Sequence, residues 1–428
     1  MRVALVNPRW TYEGSIYFGC REPHLPLELA YARALLEREG HEAFVIDAHA
    51  SATQDLRDAV GAVAPELVVV ATAPTYLFWR CPPPELRAPR EALAALSELE
   101  CPKVAVGPHG STTPAATLRK LGVDAVVVGE CEEALAAMAR TPRAGWSSLP
   151  SVWCAPAPGE RRGPVATASC DLASLPALAW RDEEIARHAH HHHRFDAVAG
   201  GPGAEIEASR GCPFACTFCA KTTHRDRYRR RPHSVVAEEL DGLLRQGVRY
   251  VYFIDEIFLP DAALLELLAE REVAFGVQTR IDLWPEAELE RLGRAGCVSI
   301  EAGVESVSKD GRAALDKRCR LDTEALTRRL VHAKQFVPFV QATLLESRFD
   351  DPADVARWSE EWKRAGLWVN DPVPLFPYPG SPDYVRLWGP PDEEAWERAH
   401  QHYLGAFTTL SDIQERRPVR LPVLEGGG

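Results

Sequence analysis

Three cysteines lie within eight residues of one another: Cys212, Cys216 and Cys219. Thiolates are ligands of iron–sulfur clusters, and a Cys-x3-Cys-x2-Cys loop can bind three irons of a cubane while the fourth iron keeps no protein ligand. An iron with an open coordination position can bind and activate a small molecule. This loop is therefore predicted to be the chemical centre of the protein.

The same cysteines permit a second interpretation, a structural zinc site with His224 as the fourth ligand. Zinc accepts a tetrahedral set of Cys and His ligands. In that case the chain would be a zinc-stabilised binding module rather than an enzyme. The phrase Arg-Gly-Cys-Pro-x-x-Cys-x-Phe-Cys and the long βα-repeating segment that follows it favour the cluster.

Composition limits the class of protein. A chain of 428 residues with 46% hydrophobic and 26% charged residues has the length and balance of two or three globular domains. The formal net charge of −12 argues against a general nucleic-acid-binding surface, since phosphate contacts require clustered Lys and Arg. We therefore expect a small-molecule substrate and no nucleic-acid partner.

The sequence also bears on location. No window has the apolar length needed to span a bilayer, and the N-terminus lacks the apolar core of a signal peptide. The 11 cysteines are scattered rather than evenly spaced, which favours reduced thiols over a disulfide framework. These features predict a cytoplasmic protein without a membrane partner.

One basic run, Arg225 to Arg231, follows the cysteine loop. It can be a solvated or ion-paired loop. It can also be a docking face for an acidic electron donor of the flavodoxin or ferredoxin type, because complementary charge steers association.

The elements that position these residues follow an α/β rhythm. Residues 1–140 alternate buried strands and helices in the way of a doubly wound, Rossmann- or flavodoxin-like parallel sheet. The predicted elements are strands Val3–Asn7, Ala43–Asp47, Leu67–Ala71, Val104–Val106 and Ala125–Val128, and helices Leu27–Glu39 and Glu91–Leu99. Ligands of such sheets bind beyond the carboxyl ends of the strands.

A second βα series begins after a linker. Residues 141–203 are rich in Pro, Gly, Ala and Ser, include the histidine run His188 to His193, and predict a short hairpin near Ser151 to Val165. Residues 204–376 predict six strands and intervening helices, and residues 377–428 form a C-terminal extension. The predicted strands are Glu205–Ser209, Arg249–Ile254, Ala274–Thr279, Val298–Gly303, Phe339–Leu345 and Leu367–Leu375.

The cysteine phrase and the strands after it resemble the radical SAM superfamily. The resemblance implies a partial (βα)6 barrel of the TIM type, a [4Fe–4S] cluster held by Cys212, Cys216 and Cys219, and S-adenosylmethionine (SAM) on the open iron. Functional groups should then lie at the carboxyl ends of the strands.

The resemblance also implies contacts to SAM. Phe218 is expected near the adenine, and Asp255 and Glu256 match a variant of the element that binds the SAM amino group. Glu305 and Ser306, in a Gly-Val-Glu-Ser phrase followed by Lys317, are expected at the ribose or methionine end. An N-cap role is the competing explanation for Asp255.

Three further residues are candidates for a substrate-facing or catalytic role: Arg280, Glu346 and Tyr378. Arg280 can bind a carboxylate of SAM or of substrate, or it can form a structural ion pair. Tyr378 belongs to a Pro-rich turn, Pro374 to Ser381, that closes the sixth unit in relatives and whose first duty is structural.

The first domain is similar to the cobalamin-binding (B12-binding) domains that precede many radical SAM barrels. The similar phrases are residues 25–42, Val106 to Thr112 and Val128 to Glu130. No Asp-x-His-x-x-Gly signature is present, so no histidine is assigned as a cobalt ligand. The bulky segment Pro74 to Pro84 can form an apolar wall for a corrin ring or fill its space.

The resemblances imply an enzyme that cleaves SAM reductively and removes a hydrogen atom from an unactivated carbon of a small or medium polar substrate. In the leading hypothesis the carbon is then methylated with cobalamin. The alternative hypothesis omits cobalamin and lets the substrate radical eliminate or rearrange, as in the dehydration of an aminosugar diol. In that case the first domain would be vestigial.

Overall fold

The chain folds into two parallel sheets and a set of C-terminal helices, in a computed structural model that describes residues 1–16, 24–50, 55–75, 82–156, 165–188, 202–221, 227–407 and 416–426. Of the helices in these ranges, none combines the length and the apolar character needed to cross a membrane.

The first sheet has the strand order β2-β1-β3-β4-β5-β6. Its strands are β1 (Arg2–Asn7), β2 (Glu42–Asp47), β3 (Leu67–Ala71), β4 (Lys103–Val106), β5 (Ala125–Val127) and β6 (Val152–Trp153). The first five are parallel, and the order reverses between β1 and β3. Ligands of doubly wound sheets bind at such a reversal. The predicted doubly wound fold is confirmed.

Helices cover both faces of this sheet. They are α1 (Leu27–Arg38), α2 (Leu56–Val63), α3 (Arg87–Ala95), α4 (Pro108–Thr112), α5 (Pro114–Leu121) and α6 (Glu132–Arg140). Helix α3 begins four residues before the predicted Glu91. The first turn of a helix makes no use of its N–H groups, so Pro89 is tolerated there.

The first sheet extends past the predicted boundary at residue 140. Strand β6 pairs antiparallel with β5, Val127 lying opposite Val152. The segment that was expected to form a hairpin therefore adds an edge strand to the first domain, and residues 157–164 lie outside the described residues.

The linker after this strand packs against the second domain. Its regular elements are a 3-10 helix (Arg143–Ser148) and α7 (Asp182–Ala186), and Leu172, Leu175 and Leu178 join the barrel core. Of the histidine run only His188 is described: its Nε2 lies 3.4 Å from Asp47 at the end of β2.

The second sheet has the strand order β14-β13-β12-β11-β10-β7, with every pairing parallel. Its strands are β7 (Gly203–Ile206), β10 (Tyr250–Phe253), β11 (Ala274–Thr279), β12 (Cys297–Glu305), β13 (Phe339–Leu344) and β14 (Trp368–Val369). Two short strands, β8 (Ser209–Arg210) and β9 (Arg229–Arg230), form a separate ribbon beside the cysteine loop. The predicted six-stranded partial barrel is confirmed.

Helices surround this sheet, and several begin at a side-chain cap. They are α8 (His233–Arg245), α9 (Ala262–Arg271), α10 (Glu286–Arg294), α11 (Lys309–Ala314), α12 (Thr323–Phe336) and α13 (Pro352–Arg364). Asp261, Asp322 and Asp351 accept backbone N–H groups at the starts of α9, α12 and α13, which satisfies donors that have no partner within the helix. A 3-10 turn (Ile281–Leu283) precedes α10.

Strand β14 is shorter than the predicted Leu367–Leu375. Asn370 leaves the strand and its side chain donates to the Leu344 carbonyl over 2.9 Å. Pro372 and Pro374 then remove backbone donors that a longer strand would need. An isolated parallel bridge from Leu345 to Val373 is the remainder of the pairing.

The C-terminal helices α14 (Pro382–Trp388), α15 (Ala395–Ala406) and α16 (Leu421–Leu424) return to the first domain. The Trp396 ring lies 4.4 Å from the His109 ring at the carboxyl end of β4. Glu425 accepts from the Leu86 N–H over 3.0 Å. The C-terminal extension therefore connects the barrel back to the ligand-binding edge of the first sheet.

Candidate active site

The cysteine loop leaves β8 at the carboxyl end of the barrel and is fixed by backbone contacts on both sides. The Thr217 N–H donates to the Leu315 carbonyl over 3.0 Å, and the Thr217 carbonyl accepts from Asp383 N over 2.8 Å. Lys221 Nζ donates to the Cys212 carbonyl over 2.6 Å. The loop is thus held by the segment before Lys317, by the start of α14 and by its own lysine.

The three thiols share one environment, in which Cys216 is buried and Cys212 and Cys219 are half-buried. Burial raises the pKa of Cys212 and of Cys216, and Lys317 counteracts it at Cys216. Burial and then the neighbouring Cys216 and Cys212 raise the pKa of Cys219. Three thiolates in such a site require compensating positive charge, so this donor set fits the irons of a cubane.

Asp255 and Glu256 lie at the end of β10 and hold the chain that enters the cysteine loop. The buried Asp255 accepts from Ala208 N over 2.9 Å and from the Ser209 hydroxyl. Glu256 accepts from Gly211 N, the residue before Cys212, over 2.6 Å. The competing N-cap explanation for Asp255 is not needed, because these contacts give both carboxylates a positioning role.

Glu305 approaches the cysteines from the end of β12. Its φ of +64° places a bulge there, and its carboxylate pairs with the buried Lys317. A Cβ at Gly303 would meet the Glu305 carboxylate, so glycine leaves the room in which this side chain folds back over the strand. Because Glu305 raises and Lys317 lowers the pKa of Cys216, the pair lies within electrostatic reach of the cluster ligands.

Ser306 has a different environment from its neighbour Glu305. It is fully buried, and its hydroxyl donates to Asp350 over 2.7 Å. Asp350 also accepts from the backbone N–H groups of Val307 and Ser308. These bonds commit the Ser306 hydroxyl to a turn, so we omit Ser306 from the proposed SAM contacts.

Arg280 lies at the end of β11, and one edge of its guanidinium group forms an ion pair. Its guanidinium is bound by Asp282 at 2.8 Å and lies 4.0 Å above the Phe214 ring of the cysteine loop. Although burial works against the charge, Asp282 raises the pKa of Arg280. Its buried Nη1 has no hydrogen-bond partner among the described residues. Arg280 is thus a structural ion pair that keeps one donor for a ligand.

The remaining candidates lie in other surroundings. Phe218 is half-buried in the loop. Tyr378 packs 4.6 Å from Phe376 and 6.4 Å from Trp396 in the C-terminal aromatic cluster. Glu346 is exposed and lines an open cleft of about 730 Å³ beside α13. Their ligand-facing roles stay predictions.

A buried ion network beside the cysteine loop has no counterpart in the sequence predictions. Arg210, two residues before Cys212, is completely buried. It binds Glu207 at 2.8 Å and Glu132 at 2.7 Å, and lies 3.9 Å from Glu130. Glu130 and Glu132 belong to the first domain. The network therefore links that domain to the entry of the loop, and the only sequence signal for it is the phrase Val128 to Glu130.

Three arginines of the basic run form ion pairs within the chain. Arg229 binds Glu130, Arg230 binds Asp261 at 2.9 Å, and the buried Arg231 binds Glu239 at 2.7 Å. The ion-paired interpretation of this segment therefore holds for these three residues, and the docking face for an electron donor stays a prediction. Residues 222–226 lie outside the described residues, and His224 of the zinc hypothesis is among them.

The strand order of the first sheet reverses between β1 and β3, where such sheets have a ligand-binding crevice, and the residues that border it follow β3, β4 and β5. Gly107 has a φ of +129°, and Ser111 joins the Gly107 carbonyl to Gly129 N with bonds of 2.8 and 2.9 Å. The fully buried Thr72 hydroxyl has no hydrogen-bond partner in the described part of the chain. A glycine-bordered crevice with an unsatisfied hydroxyl fits a polar cofactor tail. Phe78 and Trp79, the predicted corrin wall, lie outside the described residues.

Comparison with known families decides the domain types. Residues 206–358 match the model of the radical SAM superfamily, and residues 20–139 match that of the B12 binding domain. The chain therefore contains a radical SAM domain and a B12-binding domain. These two domains are named for SAM and for cobalamin (B12), which are two of the predicted cofactors. The radical SAM match replaces the alternative hypothesis of a zinc-stabilised binding module.

Solved structures agree on the fold of this radical SAM protein. The radical SAM methyltransferase TsrM from Kitasatospora setae, with cobalamin and a [4Fe–4S] cluster bound, has a TM-score of 0.70 and 19% identity, covering 90% of this chain and 77% of that chain. The cobalamin-dependent SAM radical enzyme OxsB, with aqua-cobalamin bound, has a TM-score of 0.65 and 16% identity, covering 87% of this chain and 53% of that one.

Curated relatives match over a shorter stretch. An uncharacterized methyltransferase of Pyrococcus horikoshii is 30% identical over 118 residues, which is 26% of this chain and 26% of the relative. The bacteriochlorophyllide d C-12(1)-methyltransferase of Chlorobaculum tepidum is 30% identical over 121 residues, again 26% of each chain. The matched stretch is thus about a quarter of each of these relatives.

Proposed function

We propose that this radical SAM protein is a cobalamin-dependent methyltransferase that acts on an unactivated carbon of a small or medium polar substrate. The supporting observation is the buried Arg210 network, which joins the B12-binding domain to the chain that enters the cysteine loop. Buried charges are retained at a cost unless they are paired. A vestigial domain would have no need of such a connection beside the cluster ligands.

The cysteine loop would hold the cluster through Cys212, Cys216 and Cys219. When bound, the cluster supplies the electron that cleaves SAM, and cobalamin supplies the methyl group. Asp255 and Glu256 orient the loop entry through the backbone of residues 208–211. Lys317 keeps positive charge beside Cys216 and so favours its thiolate.

Arg280 and Glu305 are the proposed SAM contacts of the barrel edge. The unpaired Nη1 of Arg280 can donate to the SAM carboxylate, a charge-assisted bond of the stronger kind. The Glu305 carboxylate, already paired with Lys317, can accept from a ribose hydroxyl or the SAM amino group. Phe218 is proposed at the adenine.

Water exclusion is a further task of the chain. Tyr31 of the first domain lies between two guanidinium groups, 5.3 Å from Arg210 and 5.1 Å from Arg231. All three side chains are buried. This layer closes the domain boundary next to the loop, which protects reactive intermediates from solvent.

A flavodoxin or ferredoxin as electron donor and a cytoplasmic location complete the proposal. Reduction of the cluster needs an electron source, and an oxygen-labile cluster suits a reducing compartment. Arg229, Arg230 and Arg231 are already ion-paired within the chain, so their charges are partly compensated for such a docking role.

The cluster assignment is tested by metal content. Anaerobically reconstituted protein should contain about four irons per chain, the number in one cubane, and should form 5′-deoxyadenosine from SAM under reduction. Changing Cys212, Cys216 or Cys219 to Ala should remove both properties. The matched control is Cys101→Ala, a partly exposed cysteine of the first domain, which should keep both. One zinc per chain and no iron would contradict the proposal.

A further inference from the structure

The start of helix α15, in the C-terminal extension, is fixed to helix α5 of the first domain by ion pairs. Glu393, two residues before the helix, pairs with Arg119, and Glu397 in its first turn pairs with Lys120. Trp396 lies between these two acidic residues in the sequence. The ion pairs therefore hold the part of α15 that carries Trp396 against the first domain.

The end of the extension is attached to the same domain. Glu425, which follows α16, lies 3.4 Å from Lys120 and accepts from the Leu86 N–H over 3.0 Å. Arg90 donates to the Glu425 carbonyl over 2.8 Å. Two separate helices of the extension thus contact the first domain through specific polar bonds.

The Trp396 ring reaches the carboxyl edge of the first sheet. It lies 4.4 Å from the His109 ring, with 31° between the ring planes. Burial and then Lys120 lower the pKa of His109 to about 3, and the carbonyl groups of Pro84 and Thr72 oppose this shift, so both carbonyls lie close to the imidazole. Thr72, His109 and Trp396 therefore form one wall, which we call the crevice wall.

Two buried polar atoms of the crevice wall have no hydrogen-bond partner among the residues that the structure describes. They are Thr72 Oγ1 and Trp396 Nε1. Thr72 has no exposed surface and Trp396 is 4% exposed. Buried polar atoms are almost always hydrogen-bonded in a functional protein, and an indole N–H can only donate. A ligand that satisfies the crevice wall must therefore bring an acceptor oxygen.

The charge of the surroundings indicates which acceptor fits. With a pKa of about 3, the His109 imidazole is neutral at physiological pH. Lys120, whose charge acts on His109, is already paired with Glu397 and Glu425. Burying a carboxylate or a phosphate requires a partner of opposite charge, whereas a neutral carboxamide oxygen requires only a donor. Cobalamin carries carboxamide side chains around its corrin ring.

We infer that the C-terminal extension completes the cobalamin site, with the Trp396 indole N–H donating to a carboxamide oxygen of cobalamin. The Thr72 hydroxyl binds a second polar group of the cofactor beside it. Trp396 lies far outside the matched B12-binding domain, residues 20–139, so the inference adds a binding residue from another part of the chain. It rests on the proposed function for the identity of the ligand.

Affinity for hydroxocobalamin tests this inference. Full-length, iron-loaded protein is equilibrated with the cofactor by dialysis, and absorbance of the free cofactor gives the dissociation constant. Trp396→Phe keeps an aromatic ring beside His109 but removes the N–H. It should weaken binding about fivefold, the effect of one neutral hydrogen bond, and Thr72→Val should have a similar effect. The control Trp388→Phe changes another tryptophan of the extension, which packs on Tyr384, and should keep the wild-type affinity.

Two results would overturn the inference. One is a Trp396→Phe protein that binds hydroxocobalamin as tightly as the wild type. The other is an equal loss of affinity in Trp388→Phe, which would assign the effect to the extension as a whole. Melting temperatures measured without cobalamin verify that both variants are folded. If the wild type itself binds no hydroxocobalamin, the proposed function fails as well; if the wild type binds and the variant effect is missing, the inference alone fails.

Discussion

The cysteine loop of the barrel and the crevice of the B12-binding domain are surrounded by different kinds of residue. The loop is framed by acidic and basic side chains, with Asp255 and Glu256 holding its entry and the Glu305–Lys317 pair beside it. The crevice is bordered by Gly107, Ser111 and Thr72. Charged side chains can hold an irregular loop in place and pair with charged ligands. Small neutral side chains leave room for a large cofactor.

His109 extends this contrast at the crevice. Burial, and then the charge of Lys120, lower its pKa to about 3, so its imidazole stays neutral at physiological pH. The Trp396 ring covers it from the C-terminal extension. His109 therefore adds no charge to the crevice on the side where the barrel chain returns.

Arg210 lies where the two regions meet, and its removal should have the largest effect. Arg210→Met leaves the buried Glu132 and Glu207 without their shared cation, while Glu130 keeps Arg229, and breaking a buried ion pair costs roughly 3–5 kcal/mol. The free energy of unfolding should fall by that amount in urea titrations. Arg57→Met, which breaks the exposed pair with Glu98, is the control. Equal stability of the two variants would show that the network does not couple the regions.

Asp255 provides a smaller, pH-dependent test of how the acidic side chains hold the cysteine loop. Burial raises its pKa from 3.8 to about 7, although Ser209 and Ala208 act in the opposite direction. The folded protein therefore binds this proton more tightly than the unfolded chain, and the corresponding stability is present at pH 4 and lost as the pH rises through 7. Asp255→Asn should remove up to about 1.4 kcal/mol per pH unit from this slope.

The measurement is the free energy of unfolding at several pH values between 4 and 8. The variant should have a flatter profile than the wild type in that window. Parallel profiles would mean that Asp255 titrates alike in the folded and unfolded states, and the idea of a buried anchor for the loop would then be wrong.

Much of this architecture was readable from the sequence. A buried run of Leu, Val and Ala predicted β3 to the residue, because a strand covered on both sides leaves a continuous apolar signal. The predicted bounds of β11 also match the structure. The spacing of Cys212, Cys216 and Cys219 predicted the candidate cluster site, because the three ligands lie on one short loop and no long-range contact is needed to recognise them.

Long-range partners were not readable. Glu130 and Arg210 are far apart in the sequence, and nothing local marks them as one network. The return of Trp396 onto His109, and the antiparallel addition of β6 to the first sheet, likewise depend on tertiary packing.

Titration of the iron-loaded protein with hydroxocobalamin is the most direct test of the central claim, that the neutral crevice and the cysteine loop serve one reaction. The account predicts tight binding of one cobalamin per chain, retained in Cys216→Ala while the iron is lost, and transfer of a labelled methyl group from SAM to product. Absence of cobalamin binding, with SAM consumed only as a source of 5′-deoxyadenosine, would contradict it and favour radical elimination.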